Sequence, residues 1–216
     1  MSIDARPELP ALPAGFNDTV NWTAEADNAF VHLGRLLAAA NEHMNLVGDS
    51  TLADFWNRHV VDSAQLLWMA PRSRVWADIG SGAGFPGLVL GILLKGRPGA
   101  RVHLIESTAK RCGFLRAAVA DLALPCIVHQ ARAEALRLEV EIVTARACAP
   151  LGRLLGYAQP YFAGGARGLF LKGEGVDAEI SAARSIWRFD AEVGMSLSDP
   201  RGRILSIGRL ARASKP

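Results

Sequence analysis

Four glycines, Gly80, Gly82, Gly84 and Gly87, fall within eight residues in the stretch WADIGSGAGFPGLVLGIL, Trp76 to Leu93. An apolar run precedes them and a second apolar run follows. Glycine lets the backbone turn sharply and lie close to a ligand without Cβ clashes. Strand, glycine turn and helix in that order commit the chain to an α/β fold, and the turn is its leading candidate site. In an open α/β sheet, ligands bind beyond the carboxyl ends of the strands where strand order reverses.

The segments on either side extend this unit. RVWADIG reads as a strand and PGLVLGILLKG as a helix, then RVHLIE as a strand and STAKRCGFLRAAVADL as a helix. CIVHQ and EIVTARA read as strands, PLGRLLGYAQPYF as a helix, RGLFLKG as a strand and VDAEISAARSI as a helix. Such alternation predicts a doubly wound, mostly parallel sheet with helices on both faces. WRFDAEVGM and RILSIGRL have no helix between them, so they are expected to pair antiparallel at one edge.

Upstream, Trp22, Ala26, Phe30, Leu33 and Leu37 recur at helical spacing, predicting one amphipathic helix over 19–40. Ser50 is placed as the N-cap of a second helix running from 51 towards 69, which Pro71 ends. The expected organisation is a flexible leader over residues 1–16, a helical extension over 17–70 and a catalytic α/β domain over 71–216. The tail RASKP is low in complexity.

Charge is divided along the chain. Residues 1–70 hold three Lys/Arg against nine Asp/Glu, whereas residues 71–216 hold 21 against 12. A basic body suits a polyanionic partner such as nucleic acid. The three cysteines are widely spaced with no CxxC pair, which indicates neither a zinc site nor a disulfide frame. The start of the chain does not have the pattern of a secretory signal. Its longest apolar stretch, Leu88 to Leu94, is too short to span a bilayer. A cytoplasmic enzyme without a resident metal is the expectation.

Two ligand classes compete for the glycine turn. GAGFPG fits the dinucleotide pattern GxGxxG literally. Two residues oppose that reading. Asp78 at the strand end would repel a pyrophosphate, and Pro86 removes an N–H from the first turn of the helix, where phosphates are normally held. A cationic ligand without phosphates, S-adenosylmethionine, suits the turn better, with Asp78 able to hold its ammonium directly or through water. Glu106, ending the second strand, can accept both ribose hydroxyls of either ligand. Ala133 and Glu134 follow the third strand, where an adenine edge would lie.

The motifs DIGSGAGFPG (78–87), ESTAKRCGFL (106–115), RAE (132–134) and TARACAPL (144–151) follow NLVGD (45–49) and RHVVDS (58–63). Together they resemble the bacterial small-subunit ribosomal RNA guanine-N7 methyltransferases, the RsmG family, once called glucose-inhibited division protein B. The resemblance covers roughly residues 19 to 210. It implies a class I, Rossmann-like methyltransferase that uses S-adenosylmethionine. It carries cofactor contacts onto Gly80, Phe85, Ala133, Glu134 and Arg146, to which Asp78, Gly82, Gly84 and Glu106 are added from the residues themselves. The implied substrate is a guanine in the decoding-region loop of 16S rRNA, free, in an assembly intermediate or in the small ribosomal subunit. Loss of this methylation is associated in the family with low-level streptomycin resistance. A monomer is expected. GVDAEI departs from the family pattern, in which more basic residues follow the lysine-glycine pair.

Guanine N7 is unprotonated at neutral pH and attacks a sulfonium methyl without a general base, so alignment should dominate and no catalytic acid or base is assigned. Cys148 lacks the supporting acids of a thiolate nucleophile and is read as a buried packing residue. Arg146 is expected to touch cofactor or phosphate, since a bare cation against the base would oppose formation of a cationic product. Lys172 is a phosphate candidate, and Arg58 and His59 are RNA candidates, with Arg58 expected to pair with Asp62 across one helical turn. The rival readings are an NAD(P)-dependent oxidoreductase and a non-catalytic RNA-binding or cofactor-sensing module.

Overall fold

The computed structural model describes residue 3 and residues 6–213. The first residues of the leader and the last three of the tail lie outside the described residues. The chain opens with α1 (Phe16–Val20) and α2 (Ala24–Met44), then α3 (Asp49–Ala53), a π-helical turn (Trp56–Val61) and α4 (Asp62–Met69). The sheet region follows as β1 (Val75–Ile79), α5 (Gly87–Leu93), β2 (Arg101–Glu106), α6 (Ala109–Asp121), β3 (Cys126–Gln130), β4 (Ile142–Arg146), α7 (Leu151–Phe162), β5 (Arg167–Lys172), α8 (Val176–Ala183), β6 (Trp187–Met195) and β7 (Arg203–Arg212).

The seven strands lie in the order β3-β2-β1-β4-β5-β7-β6. Strands β1 to β5 pair in parallel, and β7 runs antiparallel to both β5 and β6. The expected α/β sheet with an antiparallel edge is therefore present. Strand order reverses between β1 and β4, which places their carboxyl ends at the switch point.

Alternation along the central strands builds two cores. Trp76, Leu104, Ile142 and Leu169 face the core formed with α1 to α6 and the π-helical turn. Ala77, Ile105, Val143 and Phe170 face the core formed with α7 and α8. Because side chains on a strand point alternately to opposite faces, strands covered on both sides read as continuous apolar runs. The N-terminal helices share the first core with the sheet, through Phe30, Leu33, Phe55 and Trp56. The leader lies against these helices. The Arg6 guanidinium sits 4.6 Å over the Trp22 ring, and Leu9 and Leu12 pack on the core.

Two helix boundaries differ from expectation. The helix expected over 19–40 is broken at Asn21, whose left-handed backbone (φ 58°) ends α1. Thr23 then caps α2, its hydroxyl accepting from the Ala26 N–H. The helix expected from Thr51 begins one residue after Gly48, not Ser50, and is interrupted by the π-helical turn. Hydrogen bonds from i to i+5 widen that turn, which changes which side chains can meet along it.

Candidate functional site

The turn after β1 is built by backbone geometry. Gly80 has φ +68°, a conformation that L side chains rarely adopt. A Cβ there would stand 2.6 Å from Sγ of Cys148 on the loop after β4. Gly87, the first residue of α5, donates its N–H to Oδ2 of Asp78 at 3.0 Å. The first helical donor is thus spent inside the protein.

Asp78 has no exposed surface, and its Oδ1 has no hydrogen-bond partner among the described residues. Burial pushes its carboxyl up to about 7, against the opposing pull of the Gly87 N–H, Ser81 and the Arg146 charge. It lies beneath the glycine turn and lines neither cleft described below. Asp78, expected to hold a ligand ammonium directly or through water, braces the start of α5.

Glu106 closes β2 with its carboxylate facing the same turn. Oε2 accepts from the Gly82 N–H at 3.1 Å, and Oε1 accepts from the Thr108 N–H at 2.7 Å. Each oxygen keeps lone-pair capacity for a further donor. A cleft of about 260 Å³ opens here, with Gly80, Glu106, Ala133 and Glu134 among its walls and Ala147 and Cys148 at one end. Ala133 is fixed from below, its carbonyl accepting from the Tyr161 hydroxyl at 2.7 Å.

A larger cleft of about 950 Å³ lies on the other side of Ala147 and Cys148, which belong to both. Arg58, Arg146, Lys172, Asp199, Arg201 and Arg203 are among its walls. Cys148, expected as a buried packing residue, is half-buried and forms the partition between the two clefts. Burial, then the carboxylates of Asp78 and Glu106, push its thiol above the usual range, which keeps it protonated.

Arg146 ends β4 as the centre of a polar network. Its guanidinium donates to the Arg58 carbonyl at 2.6 Å and to Nδ1 of His59 at 2.8 Å, and lies 3.5 Å from Oδ2 of Asp62. Its Cζ stands 5.1 Å over the Phe85 ring. Burial lowers its pKa, and Asp62 opposes that shift. The His59 ring stacks on Phe85 at 4.4 Å between centroids and 19° between planes.

Several of the expected residues stand in surroundings that the spacing did not foresee. Phe85 is buried under Arg146 and His59, and with Gly82 and Gly84 it shapes the turn without lining a cleft. His59, expected as an RNA candidate, is 3% exposed and enclosed by packing. Arg58 does not pair with Asp62. The π-helical turn carries it away, and it bonds Oδ2 of Asp199 at 2.5 Å, while Arg146 takes Asp62. Lys172 is committed to Oε2 of Glu179 at 2.8 Å and to the Ala149 carbonyl at 3.2 Å. Its charge is answered within the protein before any phosphate arrives.

Sequence reading missed the loop between β6 and β7. SLSDPRGR, residues 196–203, supplies Ser196, Asp199, Arg201 and Arg203 to the larger cleft. An Asp-Pro turn with flanking arginines marked it as a polar loop. Nothing local said that it would return to a helix 141 positions away.

Known proteins share this sequence, and solved structures share the fold. The model of the rRNA small subunit methyltransferase G family (GidB) matches residues 26–201. A ribosomal RNA small subunit methyltransferase G from Caulobacter vibrioides is 54% identical over 206 residues, covering 95% of this chain and 95% of that protein. A protein of the same description from another Caulobacter species is 58% identical over 180 residues, covering 83% of this chain and 81% of its own. Among solved structures, a SAM-dependent methyltransferase from Aquifex aeolicus shares the fold with a TM-score of 0.55 at 13% identity, covering 78% of this chain and 97% of that one.

Proposed function

The chain belongs to the rRNA small subunit methyltransferase G family, and from that premise we propose that it transfers a methyl group from S-adenosylmethionine to N7 of a guanine in the decoding-region loop of 16S rRNA. The observation that carries this reading is the match in sequence over nearly the whole chain. The two clefts meeting at Ala147 and Cys148 suit it, one sized for a nucleoside and one open to a large substrate. The family assignment removes the dinucleotide oxidoreductase reading.

The residues present fit the cofactor. A Cβ at Gly80 would close the turn against Cys148, so only glycine leaves the approach open. Glu106 presents a fixed carboxylate to a ribose. S-adenosylmethionine held there would supply a methyl on a cationic sulfur, its S–C bond giving way to the new bond to N7 and the positive charge passing to the guanine. No proton has to move, because the N7 lone pair is free at neutral pH. The chain's contribution is orientation: Glu106 and the Ala133–Glu134 turn hold one reactant, and the walls of the larger cleft hold the other. Arg146 is turned to Asp62, His59 and the Arg58 carbonyl, so its charge is neutralised next to a base that becomes cationic.

A guanine must leave its stack to present N7 at the bottom of a cleft. That favours an unpaired loop as substrate. We further infer a cytoplasmic monomer that acts on the small subunit or its RNA. Mass mapping of 16S rRNA from cells with and without the protein tests the reading. One methyl is expected to disappear from one guanine on deletion; identical maps would refute it.

A further inference from the structure

We propose that Arg58 and Arg201, held by Asp199 on the rim of the larger cleft, form a clamp for backbone phosphates of the RNA that enters it. This rests on the methyltransferase reading and names the surface by which that substrate is gripped. Four observations support it.

First, the two cations share one anion. Asp199 accepts from the Arg58 guanidinium at 2.5 Å through Oδ2, and from the Arg201 N–H at 2.8 Å through Oδ1. The Arg201 Nε lies 3.8 Å from the same oxygen. A single carboxylate does not neutralise two guanidinium groups, and a phosphate offers the forked acceptor that each can still take.

Second, the cations are more exposed than the anion. The side chains of Arg58 and Arg201 are 43% and 75% exposed, and that of Asp199 is 18% exposed. Solvent, or a polyanion, meets the positive groups first.

Third, the platform is fixed. The Asn57 amide donates to the Ser198 carbonyl at 2.8 Å, and the Ser198 hydroxyl donates to Oδ1 of Asp62 at 2.7 Å. Gln65 donates to the Ser196 hydroxyl at 3.0 Å and accepts from the Leu197 N–H at 2.8 Å. Arg203 curls back to the Pro200 and Gly202 carbonyls at 2.9 and 2.8 Å, which closes the turn. The loop between β6 and β7 is thereby tied to the π-helical turn and α4, where Asp62 also meets Arg146.

Fourth, Arg58, Asp199 and Arg201 line the larger cleft and also a shallower groove bounded by Ser50, Thr51 and Asp54. They form a ridge between two depressions. A strand lying across it would set its phosphates on the ridge and turn a base down into the cleft. By contrast, Arg146 and Lys172 inside the cleft are each paired with a carboxylate. On the rim Arg58 and Arg201 share Asp199, with Asp54 across the groove, and the two guanidinium groups are the more exposed partners; phosphate contacts there position a substrate without reading its sequence.

The test uses full-length protein and a 16S rRNA transcript. Binding is measured by filter retention over a series of salt concentrations, and methyl transfer by incorporation of label from S-adenosylmethionine. R201A is the principal variant because its side chain reaches solvent; R58A is the second. R188A, at an exposed arginine at the end of β6 remote from the 196–203 loop, controls for bulk charge. R201A is expected to weaken RNA binding roughly tenfold, as loss of a charged hydrogen bond does. It should lower the salt dependence by about one counterion. KM for RNA should rise while kcat, affinity for S-adenosylmethionine and melting temperature hold, and R201K should restore part of the loss. If the wild-type protein methylates the transcript and R201A and R58A match R188A in affinity, salt slope and KM, the clamp is wrong and the enzyme reading stands. If the wild-type protein leaves all small-subunit RNA unlabelled, the enzyme reading fails and the clamp falls with it.

Discussion

The Arg146 guanidinium donates to Nδ1 of His59 across 2.8 Å while the same imidazole lies flat on Phe85. Guanidinium nitrogens only donate, so Nδ1 must be the acceptor and Nε2 carries the proton. His59 is therefore the neutral link between the glycine turn, the end of β4 and the π-helical turn.

This link makes stability depend on acid. Burial, with Arg146 and Arg58 adding to it, pushes the His59 pKa down to about 3 from an ordinary 6.5. The unfolded chain then binds the extra proton between those values, so stability is full above pH 6.5 and lost as pH falls towards 3. His103, lowered to about 4 by burial and by neighbouring His129 and Arg101, acts in the same direction. Each group adds at most about 1.4 kcal/mol per pH unit to the slope. H59N should reduce the slope of unfolding free energy between about pH 6 and 4 in urea titrations. H59A should cost roughly 3 kcal/mol at alkaline pH by leaving a cavity beside Phe85 and an unanswered donor on Arg146. An unchanged slope in H59N would show that His59 does not titrate as argued.

Asp78 has the opposite sign. Its folded pKa is raised to about 7 from 3.8, so the folded state holds a proton that the unfolded chain has released between those values. Stability falls as pH rises through that window. D78N keeps an oxygen for the Gly87 N–H and removes the buried charge. Thr144 sits opposite Asp78 in the strand register, and its hydroxyl has no hydrogen-bond partner among the described residues, so it can receive the new amide. D78N should melt higher than wild type at about pH 8 and no higher at about pH 5. A lower melting point at both would mean that the ionised carboxylate contributes more than its burial costs.

The central alternation was legible because parallel strands covered on both faces must be largely apolar, and VWADI, RVHLI and EIVTA each carry at least three apolar residues of five, with Asp78, His103 and Thr144 as buried polar exceptions. The antiparallel edge followed from the missing helix between 195 and 203. What sequence hid was phase and distance. The spacing of Trp22 with Ala26 and Phe30 looked continuous, yet Asn21 and Thr23 already carried the C-cap and N-cap chemistry that splits α1 from α2. An α-helical period placed Arg58 on Asp62; the π-helical turn moved it to Asp199, 141 residues away. Glu106 and the Ala133–Glu134 turn could be placed together because strand ends near a switch point face one side of the sheet, and they line one cleft. What no spacing announced at Asp78 is the Gly87 N–H that draws its carboxylate inward.

Lys172 offers a contrast with the rim arginines. Its amine and the Leu151 N–H both bond Oε2 of Glu179, at 2.8 and 2.6 Å, so one carboxylate joins β5 to the start of α7. K172M should lower the melting temperature, by roughly 1–2 kcal/mol of stability for a largely shielded charged hydrogen bond. It should leave the salt dependence of RNA binding within error of wild type. A drop of one counterion in that slope would return Lys172 to the phosphate-binding surface.

Gly80 and Cys148 give the sharpest test of the cofactor cleft. G80A meets two obstacles: the left-handed backbone at φ +68° and the Cys148 sulfur 2.6 Å from the new methyl. Strain of the first kind costs about 1–2 kcal/mol for a non-glycine residue. C148A removes only the second. Because the two residues touch, their effects should not add, and the double variant isolates the steric part. G80A is expected to lose S-adenosylmethionine affinity by isothermal titration calorimetry, with C148A alone close to wild type. The double variant should recover part of the loss, leaving a remainder of roughly tenfold that corresponds to the backbone strain. Full recovery in the double variant would mean that the left-handed turn carries no cost and the sulfur alone forbids a side chain. No recovery would mean that the two loops do not meet at this point in the bound protein, and the partition between the clefts would have to be redrawn.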